Sequence, residues 1–573
     1  MNGDQSAADI PLEEFIALPD TIPLIFRDGT LGAEAFRNAH NIRKGTVIDR
    51  NYSIDYVNQN RAAIIAEQIT SDEFGMFPVI LGLLDRQSLD AAGIMKVQQH
   101  PFLNLRGQGT LIGFIDTGID FTKDAFCHGD GTSKIKYIWD QSIAGEAPDG
   151  FYFGAEYTEE EINRALAAED PWETVPHRDT AGHGTFLASV AAGHENNEYI
   201  GAAPDAEIIA VKLKKAHPFY CEQLLVPKEQ ENAYSTSDFM LGVHYIVKKA
   251  DELGRPLAIC IALGSNWGGH NGHNPLEEYL AEISGKNGVA VVCAAGNESQ
   301  EKHHSSGKLT STGEVQNVEL LVGDRSEDIY LSLWSGFSDR IAVSLTSPAG
   351  EIIPKVPVRP NASYTANLIL EKSQITIGYY FPTRLSGNQF TRIKIIHPEP
   401  GIWTISVHGE IVLNGEYHLW LPLTGFVDPE TTFFDPDSYY TTVLPSNAAG
   451  VITCGAYNSQ NNSLYLKSSR GPSRRPAMKP DLVAPGVNIA GVFPGGNGLM
   501  SGTSVSAAIT AGICALVLQW GIVNGNQMTL TTERIKTHLI QGCIRDNFIN
   551  YPNERWGYGR INLHNTLNVM KPL

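Results

Sequence analysis

Ser504 stands in Gly502-Thr503-Ser504-Val505-Ser506-Ala507-Ala508, a serine among small residues at the opening of a strongly apolar segment. A serine hydroxyl is a weak nucleophile at neutral pH. Acyl transfer therefore requires a base within hydrogen-bonding reach and a carboxylate that fixes the base's tautomer. The chain offers both types in glycine-flanked settings: His183 in Asp179-Thr180-Ala181-Gly182-His183-Gly184-Thr185, and Asp116 in Ile115-Asp116-Thr117-Gly118. Asn297, in Ala294-Ala295-Gly296-Asn297-Glu298, carries an amide able to donate to a tetrahedral oxyanion, with the Ser504 backbone N–H as a second donor. Taken singly, each has an ordinary structural role: a helix N-cap for Ser504, a solvated histidine at a helix start, a turn or cap aspartate, a turn asparagine. Together they form an acyl-transfer constellation.

The elements that must position these residues are legible beside them. Val505, Ala508, Ile509, Gly512, Ile513, Leu516, Val517 and Trp520 recur at helical spacing. This predicts a buried helix with Ser504 in its first turn, where backbone N–H groups and the helix dipole favour developing negative charge. A small-residue helix follows His183. Residues 110–115, 208–213, 257–263 and 289–295 read as apolar strands, with Phe239, Met240, Val243, Ile246, Val247 and Ala250 marking a helix between the second and third. The alternation predicts an α/β fold with a doubly wound parallel sheet, in which ligands bind beyond the carboxyl ends of the strands. Asp116 and Asn297 both lie just past such ends.

Residues 1–99 lack glycine-rich catalytic motifs. They mix short apolar runs (22–26, 77–81) with helix-like segments (61–69, 88–92), as in a small α+β domain. The stretch Val97-Gln98-Gln99-His100-Pro101 is a polar hinge with a proline, suited to a boundary or an exposed cleavage segment, and self-cleavage is expected at Gln98, Gln99 or His100. Residues 306–440 hold short strands (329–334, 341–345, 391–396, 402–407, 417–421) bounded by Gly, Pro, Asn and Asp, the pattern of an all-β sandwich. The parallel-sheet domain is thus expected over 100–305 and 441–573, with the sandwich inserted. Between residues 131 and 177, Thr158 followed by Glu159, Glu160 and Glu161 predicts a capped surface helix.

A chain of 573 residues exceeds one compact core, and roughly two to four domains are expected. Its net charge of −20 argues against nucleic acid or an anionic membrane as partner, since both require clustered Lys and Arg. Seven scattered cysteines without a C-x-x-C pair read as free thiols from a reducing compartment. The polar, acidic N-terminus has no signal-peptide pattern, so synthesis in the cytoplasm is expected. His270, His273, His303 and His304 lack Cys or acidic partners at ligand spacing and read as structural or solvated rather than zinc-binding. No cofactor and no metal are expected.

The four motifs resemble the subtilisin-like serine proteases, the subtilase family: Asp116-Thr117-Gly118, His183-Gly184-Thr185, Asn297, and Gly502-Thr503-Ser504 with its small flanks. Lys479-Pro480-Asp481-Leu482-Val483-Ala484-Pro485-Gly486 is similar to the family's segment upstream of the serine. The resemblance covers about residues 108–305 and 445–565. It implies a serine endopeptidase with the triad Asp116, His183 and Ser504, Asn297 at the oxyanion, and Leu263, Gly264, Ala295 and Gly296 binding a protein or peptide substrate. Many relatives carry structural calcium, but no Asp/Asn-rich loop here places one. The domain arrangement resembles more narrowly the clostridial Csp germination proteases. That likeness implies a pro-domain that chaperones folding and remains bound non-covalently after autoprocessing, a jelly-roll sandwich, and a spore-cortex lytic zymogen as substrate. An alternative is a protease-fold binding or signalling protein held silent by its N-terminal domain.

Overall fold

The computed structural model describes residues 10–28, 33–68, 76–83, 92–98, 104–195, 200–475 and 477–570. Near the N-terminus, β1 (Thr21–Arg27), β2 (Arg43–Val47) and β3 (Tyr52–Asn58) form an antiparallel sheet in the order β1-β3-β2, flanked by helices Ala33–His40 and Gln59–Gln68. Arg37 is buried against this sheet and bonds Asp55 at 2.6 Å, Asp28 at 2.5 Å and Ser53 at 3.1 Å. The expected helix at 88–92 falls, save for Ala92, outside the described residues. The apolar run 77–81 does not join this sheet. It leads into β4 (Ile80–Leu83), which pairs with strands of the larger unit.

The central sheet carries the site. Its strands are β5 (Leu111–Asp116), β6 (Ile135–Asp140), β7 (Ala155–Thr158), β8 (Glu207–Lys212), β10 (Leu257–Ile261) and β12 (Val289–Ala294), with two short strands, β9 (Tyr234–Ser235) and β11 (Leu263–Gly264), lying outside it. Late in the chain come β13 (Ile452–Asn458), β14 (Ser463–Leu464) and β15 (Leu482–Pro485). The order is β14-β13-β12-β10-β5-β8-β6-β7, with β15 on β13; the interior pairs are parallel and the pairs at β7 and β14 antiparallel. The strands read as continuous apolar runs because helices cover both faces. Ile112 and Phe114 point to one core, which includes the helices His183–Ala192 and Thr503–Leu518, while Leu111 and Ile115 point to the other, with the helix Thr236–Leu253.

The segment 131–177 does more than the expected surface helix. That helix is present (Glu159–Leu166), with a reciprocal capping box between Thr158 and Glu161. The segment also supplies β6, parallel to β8, and the hairpin partner β7.

Residues 304–433 form two antiparallel sheets. One has six strands (His304–Lys308, Glu416–Trp420, Ile329–Ser335, Gln389–Ile396, Gln374–Tyr380, Ala362–Asn367). The other has five (Ile352–Val356, Arg340–Thr346, Gly401–Ile411, Val315–Val322, Thr432–Phe433). Strict alternation builds their shared core: Trp403, Ile405 and Val407 on one strand meet Leu331, Leu333, Ile393 and Ile395 from the opposite sheet.

Candidate active site

Asp116 ends β5, the strand at the middle of the sheet, and its backbone carbonyl accepts the Leu213 N–H at 3.0 Å. One carboxylate oxygen accepts the Thr117 N–H at 2.8 Å. Both oxygens face His183 Nδ1, Oδ1 at 2.8 Å and Oδ2 at 2.9 Å. A carboxylate there holds the proton on Nδ1 and leaves Nε2 as the basic nitrogen.

His183 opens its helix (His183–Ala192), and three features of the local sequence place it there. Gly182, the N-cap, has φ 78°, a left-handed conformation that side chains resist. Asp179 satisfies the exposed end of the helix, accepting from Gly182 N at 2.8 Å, Thr185 N at 2.9 Å and Thr185 Oγ1 at 2.6 Å. Gly184 allows close approach to the aspartate loop, since a Cβ on it would sit 2.2 Å from the Gly118 carbonyl oxygen.

Ser504 is the second residue of the helix Thr503–Leu518, fully buried along its length and packed against both β12 and the histidine helix. The continuous stretch Thr503–Val523 is long and apolar enough to cross a membrane, and here it is the interior helix of the fold. Gly502 enters it at φ 149°. Ser504 Oγ lies 3.4 Å from the Ala262 carbonyl oxygen, at the residue before β11.

Asn297 follows β12. Its Oδ1 accepts from Thr503 N at 3.2 Å and Thr503 Oγ1 at 3.3 Å, and Thr503 Oγ1 itself accepts the Gly296 N–H at 3.1 Å. Only an oxygen can accept a backbone N–H, so the amide's orientation is fixed, with the Nδ2 donors on its other edge. The loop is thus tied to the first turn of the serine helix. Ser504, His183, Asp116 and Asn297 all stand at strand ends or in first helical turns, the residue types and settings that acyl transfer would require.

Leu263 and Gly264 lie in β11, which pairs antiparallel with β4, Leu263 opposite Leu83 and Gly264 opposite Gly82. On its other side β4 pairs with β9, Ile80 opposite Ser235. Ala295 and Gly296 contribute shape rather than donors. Ala295 N donates to Cys454 O at 2.9 Å and Gly296 N to Thr503, so both N–H groups are engaged inside the protein. Gln98 is not brought to the site: it is buried and donates to the Gly201 and Ala202 carbonyls at 3.1 and 2.8 Å. Gln99 and His100 lie outside the described residues.

Sequence reasoning missed several residues. Asp140 and His177, both fully buried, bond at 2.7 Å, and His177 Nε2 accepts the Ile119 N–H at 3.1 Å, directly behind the Asp116 loop. Val443 fills the gap between Gly264 and Gly296; a Cβ on either glycine would meet its methyl groups at 2.4 and 2.7 Å. Glu298, beside Asn297, is 2% exposed. Nothing in one sequence separates such buried polar residues from solvated ones, because their partners lie far away in the chain.

Of the histidines read as structural, His270 stacks on Trp420 at 4.1 Å, and His304 joins His418 and Trp420 in a mutually stacked cluster with centroids 4.8–5.3 Å apart. Burial pushes the pKa of His270 down to about 3 and that of His304 to about 4, which keeps both neutral. Among the described residues, no group of three or more His, Cys, Asp or Glu could hold a metal ion.

The subtilase family profile matches residues 107–374 and 430–559. The CspB protease of Clostridium perfringens is structurally similar, with a TM-score of 0.75 and 32% identity over 84% of this chain and 96% of that one. The serine protease AprX of Bacillus subtilis is 31% identical over 153 residues, 23% of this chain and 33% of its own. Subtilisin-like protease SBT2.1 of Arabidopsis thaliana is 24% identical over 498 residues, 72% of this chain and 56% of its own. The chain therefore spans a third to little more than half the length of these curated relatives.

Proposed function

The chain belongs to the subtilase family, and we propose that it is a serine endopeptidase acting on protein or peptide substrates. Ser504 attacks the scissile carbonyl while His183 Nε2 takes the hydroxyl proton and later returns it to the leaving amine. Asp116 orients the imidazole and stabilises its charged form, and Asn297 Nδ2 with the Ser504 N–H binds the oxyanion. The observation that carries this reading is His183 Nδ1 held by both Asp116 oxygens at 2.8 and 2.9 Å. Neither cofactor nor metal is needed for these steps. A fluorophosphonate probe tests it: wild type should label at Ser504 and Ser504→Ala should lose both label and peptidase activity. Full activity in that variant would refute the assignment.

A second part concerns the N-terminal unit, which we read as a pro-domain removed by the enzyme itself and retained as an inhibitor. Substrate strands of such enzymes add to a sheet edge. β4 runs between β9 and β11 in that manner. β4 ends at Leu83, opposite Leu263, and the carbonyl oxygen of the neighbouring Ala262 is 3.4 Å from Ser504 Oγ. This supports a pro-domain that reaches the site through β4, with self-cleavage beyond it in the chain, in the span that ends at Gln98, Gln99 and His100. Sequencing the mature N-terminus decides the matter: a start between residues 84 and 101 is expected, and active enzyme that keeps its original N-terminus would overturn self-removal. The likeness to the Csp group supports a jelly-roll description of the sandwich and a germination zymogen as substrate.

A further inference from the structure

Glu298 follows the oxyanion asparagine and is 2% exposed, yet it ends in a carboxylate. Oxygens so buried need hydrogen-bond partners. Those partners come from three separate parts of the chain. His303, directly before the first sandwich strand (His304–Lys308), places Nδ1 2.8 Å from Oε2. Thr424, in the connection between the sandwich strands Glu416–Trp420 and Thr432–Phe433, donates to Oε1 from Oγ1 at 2.8 Å and from its backbone N at 3.3 Å. Asn266, two residues beyond β11, approaches Oε2 at 3.4 Å. The Glu298 backbone N–H goes to Ser469 Oγ at 2.9 Å.

We infer that Glu298 is a positioning residue through which the inserted sandwich fixes the oxyanion donor Asn297. Thr503 pins the Asn297 amide from the serine helix, and the Glu298 clamp pins the same loop from the sandwich side. Oxyanion stabilisation depends on donors already in place when charge develops, so a loop free to shift loses rate without losing ground-state binding. The insert is then part of the catalytic frame, and its two contact points, His303 and Thr424, are where it acts.

The inference rests on the endopeptidase reading, and its test separates the two. Glutamine at 298 keeps the shape, but its NH2 cannot accept from Thr424 or His303. In the full chain, Glu298→Gln should lower kcat and the rate of Ser504 acylation by about tenfold or more at nearly unchanged KM, short of the roughly 10²–10³-fold loss of an oxyanion donor itself. Thr424→Val should give a smaller loss in the same parameter. Because Glu298 acts through Asn297, adding Glu298→Gln to Asn297→Ala should cost nothing further. A Glu298→Gln kcat within about twofold of wild type, or a full multiplicative loss on top of Asn297→Ala, would overturn the clamp. Should Glu298→Gln fail to fold, the same cycle run with Thr424→Val decides. A wild-type chain that does not acylate at all would instead defeat the peptidase reading itself.

Discussion

His183 Nδ1 faces both carboxylate oxygens of Asp116, at 2.8 and 2.9 Å, while one of those oxygens also accepts the Thr117 N–H. The imidazole is thereby committed to one tautomer. Asparagine at 116 keeps the size but can turn an NH2 toward Nδ1, which moves the ring proton to Nε2 and removes the base. Asp116→Asn should therefore lower kcat by about 10⁴-fold with an intact fold, as for other triads. Steady-state kinetics on a fluorogenic peptide, with circular dichroism as the fold control, check this. A kcat near that of wild type would exclude Asp116 as the orienting group.

The histidine helix can approach the aspartate loop only because residue 184 has no side chain. A Cβ there would lie 2.2 Å from the Gly118 carbonyl oxygen and 3.1 Å from Asp116 Cβ. Asp116 is held in the sheet at the end of β5 and the contact with Gly118 is to backbone, so the helix must move. Gly184→Ala should cost about 1–3 kcal/mol of stability and most of the activity. Gly495→Ala, where an added Cβ meets nothing within 4 Å, serves as the control and should stay within about 0.5 kcal/mol. Equal thermal midpoints for the two variants would contradict the close approach.

These residues were legible in the sequence because their neighbours in the chain are also their structural supports. Gly182, Gly184 and Asp179 hold His183, and Gly502 and Thr503 hold Ser504. The apolar runs gave β5, β8, β10 and β12 for the same reason, since each strand is buried on both faces. The apolar run 77–81 marks a buried segment but not its partner: its last two residues begin β4, which pairs with β9 and β11 rather than with the N-terminal sheet. The strand β6 is hidden in the sequence of 131–177 because its apolar run is interrupted by Lys136, which is half-buried like Tyr137, and ends at the buried Asp140. Gln98 looked like an exposed hinge, yet its amide caps two carbonyls in the interior. Polar composition does not reveal a buried partner a hundred residues away.

Glu277 offers a pH-dependent test. It completes a capping box with Asn274 at the start of the helix Pro275–Ser284 but is only 2% exposed, and burial raises its pKa to about 7. In the unfolded chain it titrates near 4.3. Between these values the folded state keeps a proton that the unfolded state has released, so stability falls as pH rises through about 7. Glu277→Gln removes that dependence and retains a capping side chain. The gap between variant and wild type should widen from pH 5 to pH 8 by up to about 3 kcal/mol, in favour of the variant. Thermal midpoints of both proteins across that range check it, and parallel profiles would show that Glu277 does not titrate there.

Val443 packs between Gly264 and Gly296, and on the proposed endopeptidase reading the residue preceding a scissile bond would insert beside these two segments. The two glycines cannot carry side chains: a Cβ on either would collide with Val443 methyl groups at 2.4 and 2.7 Å. The walls are backbone, held by the Ser265–Leu444 bridge and by the Val443 N–H bond to Ala295 O at 3.0 Å. Val443 is the side chain that packs on both glycines, so shortening it enlarges the room beside them. Val443→Ala should shift preference from small and aliphatic residues toward aromatic ones. Each methylene of added room is worth about 1–3 kcal/mol, so the ratio of kcat/KM for Phe over Ala peptides should rise about tenfold or more. Peptides that differ only at that residue measure it. An unchanged ratio would mean that the substrate side chain enters elsewhere and that Val443 is ordinary core.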